Sequence, residues 1–237
     1  MPPTRLQKLQ AYAEHLLDVF IGLREKYALL DPLIFDRDTI RLWSTGLRGR
    51  GFLTLKNSLF MSCLMDVSKI AIDKDDRTPS VLQLMDFLDE DGIRDALREQ
   101  FSVRHLAPTA GEPEEVIALL QAAERREDDE RRKQFDALVT ELRDRWQRLR
   151  ESKVLASCRT IRDKLLAHSE LHHDGERYKP FDVPSLGLKW GDLKVAISEL
   201  EQIVNLITLV CRSSSFAFDM LDEQLAWASG AFWAPSS

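Results

Sequence analysis

The sequence predicts an all-α fold: an antiparallel bundle of long helices with extra short ones. Two observations carry this. Only 10 glycines and 9 prolines occur in 237 residues, which favours long helices over a sheet-rich fold. Apolar residues also recur at alternating three and four spacing over long stretches, as in Leu6, Leu9, Ala13, Leu16, Phe20 and Leu23. That is the period of a helix facing a partner. With 44% hydrophobic residues, the chain can bury one sizeable core. The expected organisation is one domain over residues 1–228, with residues 229–237 a frayed tail.

The formal net charge is −6, which excludes a generally basic nucleic-acid-binding surface. Any polyanion must find a local basic face. Cys63, Cys158 and Cys211 are far apart and form no CxxC, which fits buried thiols in a reducing cytosol and gives no disulfide framework. The N-terminus lacks a signal-peptide apolar region and no 18-residue apolar run exists, so the expected location is the cytoplasm, without a membrane span.

In order, Thr4 caps a first helix to about Leu30, and Asp31-Pro32 ends it, because the residue before proline is pushed out of the helical region. A short segment around Ile40–Trp43 forms a turn or two. Gly46-Leu-Arg-Gly-Arg-Gly51 reads as a connector, since it lacks the spacing and lysine of a phosphate-binding loop. Residues 52–73 form the most apolar helix, with Phe52, Phe60, Cys63, Leu64, Val67 and Ile70 covering most of its circumference. A narrow polar line remains at Ser58, Ser62, Asp66, Lys69 and Asp73. It is either the floor of a polar cleft or an exposed edge with an Asp66–Lys69 pair. Residues 73–79 are a polar turn lacking the glycine and glutamate of a calcium loop.

Helices follow from Thr78-Pro79 through Asp89, and from Asp91-Gly92 to about His105; residues 107–114 are a loop. No breaker appears from Pro113 to about Arg150, so this stretch is one solvated arm or two joined helices. Its charged run, residues 124–133, offers the i,i+4 pairs Glu127–Arg131, Asp128–Arg132 and Asp129–Lys133. Basic residues then dominate through Arg143, Arg145, Arg148, Arg150, Lys153, Arg159, Arg162 and Lys164. Asp192 or Gly191 caps a last long helix whose stripe runs from Leu193 through Ile197, Val204, Cys211 and Phe218 to Leu225.

The stretch these elements serve is residues 159–170, Arg-Thr-Ile-Arg-Asp-Lys-Leu-Leu-Ala-His-Ser-Glu, read as one helix ending at residues 171–175. Arg162 and His168 lie six positions apart, with Asp163 after the arginine. On an ideal helix six residues advance about 9 Å and end roughly 120° around the axis. A site using both needs long side chains reaching round, a loosened turn, or a second copy of the helix. Histidine suits proton transfer near neutrality, and arginine suits phosphate because its planar fork donates two hydrogen bonds. Arg148, Lys153, Arg159 and Lys164 are candidate phosphate contacts beside them. The structural alternative is an Arg162–carboxylate pair with His168 at a helix end, interacting with the dipole. No cluster has metal-ligand spacing; adjacent His172 and His173 point in different directions on any regular backbone. No cofactor is expected.

Arg162-Asp-Lys-Leu-Leu-Ala-His168 resembles the R-x(4–6)-H motif of the HEPN superfamily, with a polar residue after the arginine. Asn57 through Asp73, and the helix after Trp190-Gly-Asp192, are similar to its AbiU-like, abortive-infection branch, and the likeness covers roughly residues 5–225. It implies a HEPN-like helical bundle, a homodimer, and a metal-independent endoribonuclease of a prokaryotic defence or toxin-type system, with an antitoxin or defence partner. Catalysis would fall to Arg162, His168 and Asp163 at a composite dimer site. The alternative is a non-catalytic helical dimer binding RNA, nucleotide or a protein partner. His168 is followed by Ser169 and Glu170, so the tyrosine of the H-x-Y form, modified by a nucleotidyltransferase, is absent.

Overall fold

The computed structural model describes residues 4–75, 77–102, 114–166, 171–173, 178–180 and 187–234. The fold is all-α. Its helices are α1 (Arg5–Phe35), α2 (Arg37–Trp43), α3 (Arg48–Ile72), α4 (Val81–Leu88), α5 (Asp91–Ser102), α6 (Glu114–Arg150), α7 (Lys153–Ile161), α8 (Trp190–Arg212) and α9 (Phe218–Trp233). A π-helical turn, Arg162–Leu166, follows α7. A short antiparallel hairpin pairs β1 (Leu171–His173) with β2 (Tyr178–Pro180), Leu171 opposite Pro180.

α1 is the axis of the bundle, packed against α3 and α8. Thr4 caps it: its hydroxyl accepts the Gln7 N–H at 3.2 Å, and the Gln7 side chain accepts the Thr4 N–H at 2.8 Å. Leu9, Leu16, Phe20, Leu23 and Leu30 form its fully buried stripe. They meet Cys63, Leu64, Val67 and Ile70 of α3 and Leu200, Ile203, Val204 and Ile207 of α8 in one continuous core. α6 joins this core through Phe135, Val139, Leu142 and Trp146.

α1 runs past Asp31, through Pro32, to Phe35, so the expected stop at the proline is corrected. Proline has no N–H for the carbonyl four residues earlier. That carbonyl, of Ala28, accepts the Ser229 hydroxyl at 2.6 Å instead. The Leu29 carbonyl accepts the Trp233 indole N–H at 3.1 Å. α9 thus satisfies the backbone that the proline frees. Residues 229–233 are accordingly helical rather than frayed, with Ser229 and Trp233 buried. Trp233 also completes a small second cluster with Leu33 and Phe52, Trp43 packing edge-to-face on it.

The last long helix is two. α8 ends where Ser213 adopts a left-handed conformation, φ 52°, its N–H on the Leu209 carbonyl. Asp192 lies inside the first turn of α8 and accepts the Lys189 N–H at 2.8 Å, so Lys189, not Asp192 or Gly191, is the capping position. α3 begins within the expected connector, at Arg48. Gly49 is required there: a Cβ would lie 2.5 Å from the Ser44 carbonyl oxygen. α4 starts two residues past Pro79, at Val81, with Ser80 as its cap. The long stretch from Glu114 is one helix. Of its expected i,i+4 pairs, Arg131–Glu127 forms, at 2.6 Å, whereas Arg132 and Lys133 turn to Asp129 and Glu130. Arg132 also reaches Glu99 of α5.

Candidate functional site

α7 is built to present one charged face. Ser152 caps it by accepting the Leu155 N–H at 3.2 Å. Leu155, Cys158 and Ile161 are buried against the core, and Leu155 and Ile161 each contribute about 2 kcal/mol by burial. Arg159, Arg162 and Asp163 follow at i, i+3 and i+4, the spacing that puts three side chains on one face. The Arg162 N–H is shared between the Cys158 and Arg159 carbonyls. From Arg162 the backbone opens into the π turn, a widening often found at functional sites. The expected single regular helix through residues 159–170 is thus corrected at Arg162. The strand Leu171–His173 likewise replaces the expected helix end.

Opposite this face lies the C-terminal end of α3. Together the two walls form a cleft of about 420 Å³ lined by Ile72, Asp73, Lys74, Arg159, Arg162 and Asp163. Three cations and two carboxylates line it, a balance of +1 in a chain whose total is −6. Arg162 donates through Nε to Asp163 Oδ1 at 2.9 Å, and its Nη2 lies 2.9 Å from the same oxygen. This holds the guanidinium plane while leaving other N–H groups of the fork unused among the described residues. The pair is part-exposed, 30% for the arginine and 54% for the aspartate.

The candidate residues do not all converge. Arg159, Arg162 and Asp163 share the cleft. Lys164 is exposed on the π turn. Lys153 opens α7, nine residues before Arg162 and so about 13 Å away along the axis. Arg148 lines a different hollow of about 220 Å³ with Ser152, Val154, Val195, Ala196 and Glu199. His168 lies outside the described residues. The basic run is also partly neutralised: Arg143 pairs with Asp89 at 2.6 Å, and Arg145 with Glu141 at 2.9 Å. Of the polar line on α3, only Asp73 reaches the cleft. Asp66 pairs with Lys26 of α1 at 2.5 Å rather than with Lys69.

Sequence reasoning missed Lys74 as a site residue. It sits in the turn after α3, some 85 positions from Arg159, and only the packing of α3 on α7 brings them together. Among the described residues, no group of three or more His, Cys, Asp or Glu could hold a metal ion; His168 is outside that statement. Cys63, Cys158 and Cys211 are buried, and burial pushes each thiol up to about 12. They are inert as nucleophiles near neutrality. No described helix is long and apolar enough to cross a membrane.

Compared with known protein families, residues 6–229 match the family model HEPN_AbiU2, described as AbiU2. No curated protein matches the chain, and no solved structure does.

Proposed function

The chain belongs to the AbiU2 family of HEPN domains, and from that premise we propose that it is a metal-independent endoribonuclease of a defence or toxin-type system. RNA carries its own nucleophile, the 2′-hydroxyl. A base takes the 2′-O–H proton as the oxygen attacks phosphorus. The P–O5′ bond breaks, and an acid supplies a proton to the leaving 5′-oxygen. The products are a 2′,3′-cyclic phosphate and a 5′-hydroxyl, with no redox change and no metal required.

His168 is the proposed proton carrier. Two copies of the chain, related by a two-fold axis, bring two motif segments together, one His168 as base and its mate as acid. Arg162 supplies two-point hydrogen bonding and positive charge to the pentacovalent phosphate. Asp163 keeps the guanidinium plane in place. The observation that carries this reading is the cleft itself: Arg162, braced by Asp163 and flanked by Arg159 and Lys74, at a local positive balance six residues before His168.

The test is the chemistry of the cut. Purified protein should cleave single-stranded RNA in the presence of EDTA, leaving 2′,3′-cyclic phosphate ends. RNA carrying a 2′-deoxy nucleotide at the cut position should resist. Cleavage that stops in chelator and returns with a divalent ion would exclude this mechanism. An uncut RNA that is nevertheless bound would favour the binding module instead.

A further inference from the structure

The cleft holds a cation that neither the motif nor the mechanism above assigns a role. We infer that Lys74 is an RNA-contacting residue whose ammonium binds a backbone phosphate from the wall facing Arg159 and Arg162. This deepens the RNA reading and rests on it.

Three features of the turn after α3 support the assignment. The first is rigidity. Asp73 accepts the Asp75 N–H at 3.1 Å on its side chain and the Ser80 hydroxyl at 2.7 Å on its carbonyl. The Asp75 carbonyl accepts the Gln83 side chain at 2.6 Å and the Thr78 N–H at 2.9 Å. Lys74 is therefore carried between two pinned residues. The second is availability. Arg77 takes both Asp75 oxygens, through Nε at 3.0 Å and Nη2 at 2.8 Å. Those hydrogen bonds hold the Asp75 carboxyl down at about 2. With one Asp73 oxygen also engaged, Lys74 forms no ion pair among the described residues and stays exposed.

The third feature is the sign of the wall. A helix C-terminus carries roughly half a negative charge, and α3 ends at Ile72. Without Lys74 that wall would present Asp73 and these carbonyls, and the cleft balance would fall from +1 to zero. A phosphate entering beside Arg162 would then meet a repulsive surface. Lys74 is the side chain that makes this wall compatible with an anion. A lysine serving only to offset the helix end would stabilise α3 without touching RNA, and that alternative is separable.

The probe is a single-stranded 2′-O-methyl RNA oligonucleotide, which cannot be cut through its 2′-oxygen. Binding to the full chain is measured across a salt series for wild type, Lys74→Ala, Lys74→Arg and Lys133→Ala, the last a solvated lysine on α6. Lys74→Ala should bind about five- to tenfold more weakly at low salt. Its log–log salt slope should be shallower by about 0.7, the loss of one phosphate contact. Lys74→Arg should keep affinity and slope within about twofold, and Lys133→Ala should match wild type. Unchanged affinity and slope in Lys74→Ala, with wild type binding normally, would overturn this inference alone. So would weaker binding at an unchanged slope with a lowered Tm, which marks a structural lysine. A wild type that does not bind the probe would overturn the RNA reading and this inference together.

Discussion

Asp163→Asn separates the positioning of Arg162 from the charge of the cleft, because the two effects have opposite signs. The substitution preserves shape and leaves an oxygen that still accepts from the arginine. The ion pair is 30% and 54% exposed, so its loss should cost roughly 0.2–1 kcal/mol, a Tm change of at most about 3 °C for a chain of this size. The cleft balance rises from +1 to +2. Removing a carboxylate on the order of 6 Å from a bound phosphate is worth about 0.7 kcal/mol in water, near threefold in affinity. The variant should therefore bind 2′-O-methyl RNA about threefold more tightly at low salt. Cleavage should go the other way. Exchanging a charge-assisted hydrogen bond for a neutral one loosens the guanidinium by about 1 kcal/mol, which lowers single-turnover cleavage about five- to tenfold. The assay pairs a binding titration with single-turnover cleavage at saturating enzyme. An unchanged cleavage rate would refute the positioning role. Weaker binding would refute the cleft as a phosphate site.

Two further outcomes follow from the same framework. Light scattering at micromolar concentration should report a dimer, since the proposed site needs a second His168; a monomer that cleaves RNA would contradict the composite site. Arg24, mostly buried, is held by Glu201 and Asp222 across α1, α8 and α9, and burial raises the Glu201 carboxyl despite the arginine. Arg24→Ala leaves two carboxylates without a counter-charge and should cost roughly 2–3 kcal/mol, between the exposed and buried limits. Denaturant unfolding should show Glu201→Gln to be the milder change, and the reverse order would disprove this account of the cluster.

The helical architecture was legible wherever burial follows local periodicity. The stripes of α1 and α3, the cap at Thr4 and the shared face of Arg159, Arg162 and Asp163 all follow from spacing. What escaped depends on partners distant in sequence. Pro32 reads as a stop because its missing N–H orphans a carbonyl, and nothing local reveals that Ser229 supplies the hydrogen bond. The apolar stripe across Ser213 reads as continuous, because the short break at residues 213–217, opened by one left-handed residue, leaves the order of the apolar residues undisturbed. Asp66 lies one turn from Lys69, yet it chooses Lys26 on the neighbouring helix. Lys74 is the functional counterpart of these cases. Its turn reads as a polar connection until α3 and α7 are packed together, and only then does its charge acquire a site.

The central claim is that Arg162 and His168 act on the same RNA phosphate. The direct measurement is single-turnover cleavage by wild type, Arg162→Ala and His168→Ala, each confirmed folded and dimeric, with product ends identified. The account predicts 2′,3′-cyclic phosphate ends from wild type and a loss on the order of a hundredfold or more in both variants. Binding of 2′-O-methyl RNA should be little changed in His168→Ala. Undiminished cleavage by either variant, or a wild type that binds RNA and cuts none of a varied set of substrates, would contradict it.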